Sequence, residues 1–215
     1  MATRKSGKPY IWTTWLAKLL GGNQCVWSAW FKAQHRYDKY EEQALDLAQW
    51  NREHTDLMRR RRLEMEREGW SVTEENQNAF KVEGPEAVVA GKPDLIGRRP
   101  GMALVVDGKT GRERASDYWP VLFYLYALPK QFADLRTLAL EGEIQYRRGD
   151  QRLTVTPAEL TPERMAQIVA LIRVISGPTA PAKVPSVHEC RTCNIGPKDC
   201  PERVREQRAV AVGEW

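Results

Sequence analysis

The stretch VVDGKTG, residues 105–111, sets a carboxylate, Asp107, and an amine, Lys109, two positions apart at the end of an apolar run. In a strand, side chains i and i+2 share a face, so these two groups would point the same way. A second acid, Asp94, stands in the strand-like GKPDLIG, residues 91–97. Twelve residues separate it from Asp107, enough for a strand, a tight turn and a return strand. If those strands pair, the carboxylates converge, and two like charges raise each other's pKa. A hard divalent cation, Mg2+ or Mn2+, takes oxygen ligands and would relieve this. The Gly108 carbonyl between Asp107 and Lys109 offers one more oxygen. An ammonium beside such an ion can orient a water or meet a phosphate oxygen. Lewis acid, nucleophile and charge clamp together suit hydrolysis of a phosphodiester. The bare triplet D-x-K is also common as a surface turn with a solvated lysine. The order P-D, a dozen residues, apolar strand, D-x-K, T-G is far narrower.

A second chemistry sits near the C-terminus. CRTCNIGPKDC holds Cys190, Cys193 and Cys200, while the fourth cysteine, Cys25, stands far upstream near the N-terminus. No apolar core followed by a cleavage site follows the basic N-terminal residues, so a secretory signal is not read and a cytoplasmic protein is expected. Disulfides are then disfavoured. Three closely spaced thiols point to a soft metal centre, either zinc or a [4Fe–4S] cluster. His188 offers zinc a local ligand.

These groups need a scaffold. Residues 9–40 read as one or two tryptophan-rich helices broken near GGN at 21–23, and 41–68 as a long helix ending at Gly69. Leu47, Trp50, His54, Leu57 and Met58 fall on one face of that helix. Residues 70–107 read as strands, with turns at Gly84-Pro85 and Pro100-Gly101. A helix follows over 114–128, with Pro120 in its first turns. A hairpin over 139–156 turns at Gly149-Asp150. A helix over 161–176 starts with Thr161 as N-cap and Pro162 at its first position. GPTAPAKVPSV, residues 177–187, reads as an extended linker. The order predicts an α/β fold, a mixed central sheet with helices on both faces.

The composition fits an ordinary globular chain: 42% hydrophobic and 28% charged residues, with a net charge of +5. The basic balance weakly favours a polyanionic partner. The longest apolar run, residues 121–128, is far short of the ~20 residues of a membrane span. Trp12, Trp15, Trp27 and Trp30 are spaced in threes, a pattern commoner in cores than in base-stacking platforms. The run RRRR, residues 59–62, covers every side of its helix. It reads equally as a solvated surface paired with Glu64, Glu66 and Glu68 or as a phosphate-contacting ridge near His54. Glu75 and Glu83 read as ordinary charged strand residues.

GKPDLIGRRPGMALVVDGKTG resembles the core of the PD-(D/E)XK nuclease superfamily, and most its RecB-like branch. The resemblance implies a restriction-endonuclease-like fold and a metal-dependent deoxyribonuclease, with DNA as partner. It implies metal ligands at His54, Asp94, Asp107 and the Gly108 carbonyl, a catalytic lysine at Lys109, and products bearing a 5′-phosphate and a 3′-hydroxyl. Gly108 stands where the family usually has tyrosine. Where the family carries Q-x-x-x-Y, this chain has Pro120 and Tyr124; Tyr124 is expected to contact DNA or support the site, and the glutamine's strand contact is missing. That departure is the best support for the competing expectation, a catalytically inactive DNA-binding or scaffold module on the same fold. One cysteine before the core and three after it resemble the iron–sulfur staple of AddB-type and CRISPR-associated exonucleases. The resemblance thus implies a [4Fe–4S] cluster on Cys25, Cys190, Cys193 and Cys200, with zinc as the alternative. It divides the chain into an N-terminal helical region (1–40), a nuclease core (41–176), and a linker, cysteine segment and tail (177–215). The two ends would form a metal-cluster subdomain, and proteins of CRISPR adaptation or recombination would be partners. Closing so long a loop costs roughly 4–5 kcal/mol of chain entropy, which a metal centre would offset.

Overall fold

The computed structural model describes residues 2–40 and 47–204. In chain order the elements are β1 (Thr3–Arg4), β2 (Tyr10–Trp12), α1 (Thr13–Leu20), α2 (Val26–Gln34), β3 (His35–Arg36), α3 (Leu47–Arg67), β4 (Ser71–Glu74), β5 (Phe80–Glu83), β6 (Val88–Gly91), β7 (Leu95–Arg99), β8 (Met102–Lys109), α4 (Tyr118–Gln131), β9 (Ala139–Tyr146), β10 (Arg152–Val155), α5 (Pro162–Ser176) and α6 (Val187–Arg191). The first residues of the long helix expected from 41 lie outside the described residues.

The main sheet has five strands in the order β10-β9-β8-β7-β4. It is mixed: β8 and β9 run parallel, joined through α4, and the other neighbours run antiparallel. The β7–β8 hairpin turns at Pro100-Gly101, as the sequence predicts, with Arg99 opposite Met102 and Gly101 at φ +79°. With Pro100 before it, that positive φ is what the second central residue of a type II turn requires, and glycine adopts it without strain.

The strands alternate faces as their sequence does. Ile96, Ala103, Val105, Ile144 and Val155 meet α4 through Val121, Leu122, Leu125 and Leu128. Leu95 and Val106 point the other way and meet Leu57, Met58 and Met65 of α3. A helix therefore covers each face of an α/β sheet, as the element order predicts. Thr161 caps α5, its Oγ1 accepting from the Arg164 N–H at 3.3 Å.

Some expectations needed correction. Residues 9–40 are not helix throughout: Tyr10–Trp12 is a strand in a small second sheet of order β2-β6-β5. Trp12 pairs in parallel with Ala90, which carries this N-terminal segment to the core. The helix expected over 114–128 starts at Tyr118, after a 3-10 turn at Ala115–Asp117, and runs on to Gln131. Pro120 sits in its first turn, where a missing N–H costs nothing. The two chain ends meet: Tyr37 donates to Asn194 Oδ1 at 2.9 Å, and the Tyr40 N–H donates to the Asn194 carbonyl at 2.9 Å. A distinct metal-cluster subdomain is not shown among the described residues; these segments pack directly beside α2.

Candidate functional site

The hairpin register builds the site. Leu95 lies opposite Val106, so Asp94 and Asp107, one position further along their strands, stand beside each other. Both share the parity of Ile96 and Val105 and face the α4 side of the sheet. Lys109 has the same parity, and its Nζ lies against Asp107 Oδ2. The Gly108 N–H donates to Asp94 Oδ2 at 2.7 Å, which ties the two strand ends together.

His54 reaches the same carboxylate from α3, with Nε2 3.2 Å from Asp94 Oδ2. A Cβ at Gly108 would meet the flexible end of the Met58 side chain, which would have to move, and would stand 3.4 Å from His54 Nε2. Trp50, one helical turn before His54, stacks on its ring with centroids 5.2 Å apart. Trp50 remains 48% exposed, so it is not the core residue that its spacing suggested.

The electrostatics are strained in one direction. Burial pushes the Asp107 carboxyl above its ordinary range, and the Asp94 charge adds to the shift, while Lys109 opposes it. Burial lowers the Lys109 pKa, but the Asp107 carboxylate outweighs it, and the net shift is upward. The hydrogen bond with Asp94 raises His54 despite its burial. Among the described residues, Asp107 Oδ2 makes no hydrogen bond beyond its contact with Lys109. A buried carboxylate oxygen with that little support, next to a second acid, suits a hard cation. The oxygens of Asp94 and Asp107 and the imidazole of His54 are donors of the right chemistry. As they stand, His54 is turned onto Asp94 and Lys109 onto Asp107. Among the described residues no group of three or more His, Cys, Asp or Glu side chains is arranged to hold a metal ion.

Tyr124 lies at the back of this site. It is 2% exposed and meets Phe80 edge-on at 5.9 Å, so it cannot touch DNA as placed. Burial, with the Asp107 and Asp94 charges added, pushes its phenol far above the ordinary value. Sequence reasoning missed Asp117 and Tyr146. Asp117 is 8% exposed, accepts from Tyr146 Oη and the Arg114 N–H at 3.0 Å each, and helps to hold Lys109 charged. The signal was there: an acid three residues after Arg114, just ahead of the apolar run of α4, is a helix-start pattern.

The arginine run divides by position. Arg61 is 4% exposed and grips Glu143 of β9 with two bonds, of 2.7 and 3.0 Å. Arg62 pairs with Glu74 at 2.7 Å, and Arg59 and Arg60 face solvent. Glu83 pairs with Lys8 at 2.7 Å and Glu75 with Lys92 at 3.9 Å, both on the surface.

All four cysteines are free thiols and line one small cavity of about 20 Å³, together with Trp27, Lys183 and Arg203. Burial pushes the Cys200 thiol up, and Lys183 pulls it the other way. His188, the local alternative for zinc, is exposed and does not line this cavity. Cys25 and the three C-terminal cysteines thus share a cavity despite their separation in sequence.

Fold and site together define an α/β nuclease-like domain. A sequence profile of the PD-(D/E)XK nuclease superfamily matches residues 22–197, and the chain belongs to that superfamily. Fourteen solved chains match it as well. One, a crystal structure of SSO0001, aligns over 94% of this chain and 91% of that one, at 15% identity and a TM-score of 0.48. A search of curated proteins gives no match. No helix among the described residues is long and apolar enough to cross a membrane.

Proposed function

We propose that the chain is a metal-dependent deoxyribonuclease of the RecB-like branch, acting on single-stranded DNA or DNA ends. The observation that carries this is the gathering of Asp94, Asp107 and Lys109 on one face of a hairpin end, with His54 brought over Gly108 to the same carboxylate. In this reading His54, Asp94, Asp107 and the Gly108 carbonyl hold Mg2+ or Mn2+. When bound, the ion would supply Lewis acidity and lower the pKa of a water. Lys109 turns from Asp107 to align the attacking water and to neutralise charge developing on the phosphate. Tyr124 keeps water away from the rear of Asp107. Asp117 adds to the negative field that favours the charged form of Lys109.

The test is direct. Purified protein with Mn2+ and single-stranded DNA should release products bearing a 5′-phosphate. Binding to DNA without cutting, under every divalent metal tried, would leave the inactive scaffold reading instead.

The same proposal assigns Cys25, Cys190, Cys193 and Cys200 to a structural [4Fe–4S] cluster, which ties residues 1–40 and 177–215 around a core of 41–176. The shared cavity and its apolar, aromatic lining support it: four thiolates are a donor set for such a cluster, and the exposed His188 lies elsewhere. Anaerobic purification should give brown protein with iron bound, and Cys193→Ser should lose both the colour and the iron. Colourless protein carrying one zinc per chain would overturn the assignment. The branch would place the chain in recombination or CRISPR adaptation.

A further inference from the structure

We propose that the cleft between α1, α2 and residues 192–194 binds single-stranded DNA, with backbone phosphates on Lys18 and Lys32 and a base against Trp15. The proposal rests on the nuclease reading, because it names where the substrate strand runs beside the reacting groups.

The cleft has a volume of about 610 Å³ and is lined by Lys5, Lys18, Lys32, Lys39, Trp15 and Tyr37, among others. Four lysines face one acid, Glu189. That acid is already occupied: it accepts from the Gln24 N–H at 2.7 Å and from Asn23 Nδ2 at 3.2 Å. Lys5 is pinned by the Lys32 and Ala33 carbonyls, at 2.7 and 3.3 Å. Lys18 and Lys32 have no such anchors. Among the described residues neither ammonium lies within ion-pair or hydrogen-bond distance of an acid or a carbonyl, and Lys32 instead lies over the Trp15 ring at 5.9 Å.

Four lysines outnumber the single carboxylate on this lining, which leaves positive charge for an incoming anion. A bound phosphate would answer that charge, and aromatic side chains beside it give a base a face to stack on. A cleft of this volume suits a ligand the size of about one or two nucleotides.

The cleft is tied to the loop that leaves Lys109. Arg114, five residues beyond Lys109, is close enough to Lys18 to act on it electrostatically. Gly21, at the end of α1, packs so tightly on Ser116 that a Cβ would overlap it. The wall of the cleft and the loop leaving Lys109 are thus one surface.

The experiment is fluorescence anisotropy with a labelled oligothymidine of about twenty nucleotides, longer than one such groove can cover. The chain carries Asp107→Asn, and no divalent metal is added, so nothing is cut. Adding Lys18→Gln and Lys32→Gln should weaken binding by tenfold or more. It should also flatten the dependence of log affinity on log salt by about 1.4, or ~0.7 for each phosphate that is no longer neutralised. Lys18→Arg with Lys32→Arg should retain both properties, which separates lost charge from misfolding. Unchanged affinity and slope in the glutamine pair would overturn the cleft. So would loss of cysteine-bound metal with DNA affinity intact, since the lysines would then be counter-charges for the thiolates. Either result leaves the nuclease reading standing if wild-type protein cuts DNA. Absence of both DNA binding and cutting in the wild type would sink that reading and this one together.

Discussion

Asp107→Asn should lower metal-dependent DNA cleavage by at least about a thousandfold while leaving the protein folded. The carboxylate is 5% exposed, stands beside Asp94 and has Lys109 as its principal support. Asparagine keeps its shape and removes its charge. Two opposed effects then act on stability: the cost of a buried anion next to Asp94 disappears, and Lys109 loses its partner. Metal linkage gives a cleaner signature. On the proposed reading, a divalent cation would relieve the repulsion between the acids in the wild type and so would bind the folded state. At a hundredfold excess over Kd this adds about 2.7 kcal/mol of stability. For a chain of this size that is a rise in Tm of roughly 5–11 °C. Asp107→Asn should show no such rise with Mg2+ or Mn2+. Cleavage within tenfold of wild type, or an equal metal-induced rise, would refute the role given to Asp107.

That pair of acids was legible from sequence for a simple reason. A strand repeats every two residues and a two-residue turn fixes the register, so Asp94 and Asp107 have one way to meet once Pro100-Gly101 is read as the turn. The apolar alternation of β8 likewise announces which residues face α4 and which face α3. Other features depend on contacts that periodicity does not encode. Trp50 shares a helical stripe with Leu57 and Met58, yet it overhangs the end of the sheet and stays exposed. The sequence expectation for Tyr124 is contact with DNA or support of the site, and its place on α4 turns it toward Phe80 and the core. The lysine cleft is assembled from α1, α2 and a segment some 170 residues later, so no local pattern could announce it. The short β2 pairs with a strand far along the chain, and three residues carry too little alternation to be distinguished from a helix start.

The arginine run makes the same point and gives the other large effect. Of four arginines at 59–62, only the packing of α3 on the sheet decides which one is structural, and Arg61 is the one turned toward Glu143. This buried pair fixes α3 on β9, two helical turns after His54 reaches over β8. Arg61→Ala should therefore destabilise the protein by about 3–5 kcal/mol, because it leaves Glu143 buried without its partner. The expected fall in Tm is roughly 6–20 °C. Replacing both members, Arg61→Met with Glu143→Leu, should recover most of the loss, since two apolar side chains of similar size need no counter-charge. If the pair is only a clamp, the double variant should also recover the metal-induced rise in Tm, because His54 is again held in place. If stability returns and the metal response does not, the ion pair sets the register of α3 as well as its grip. Loss of less than about 1 kcal/mol in Arg61→Ala would show that the pair is no better than a surface salt bridge and does not position the helix.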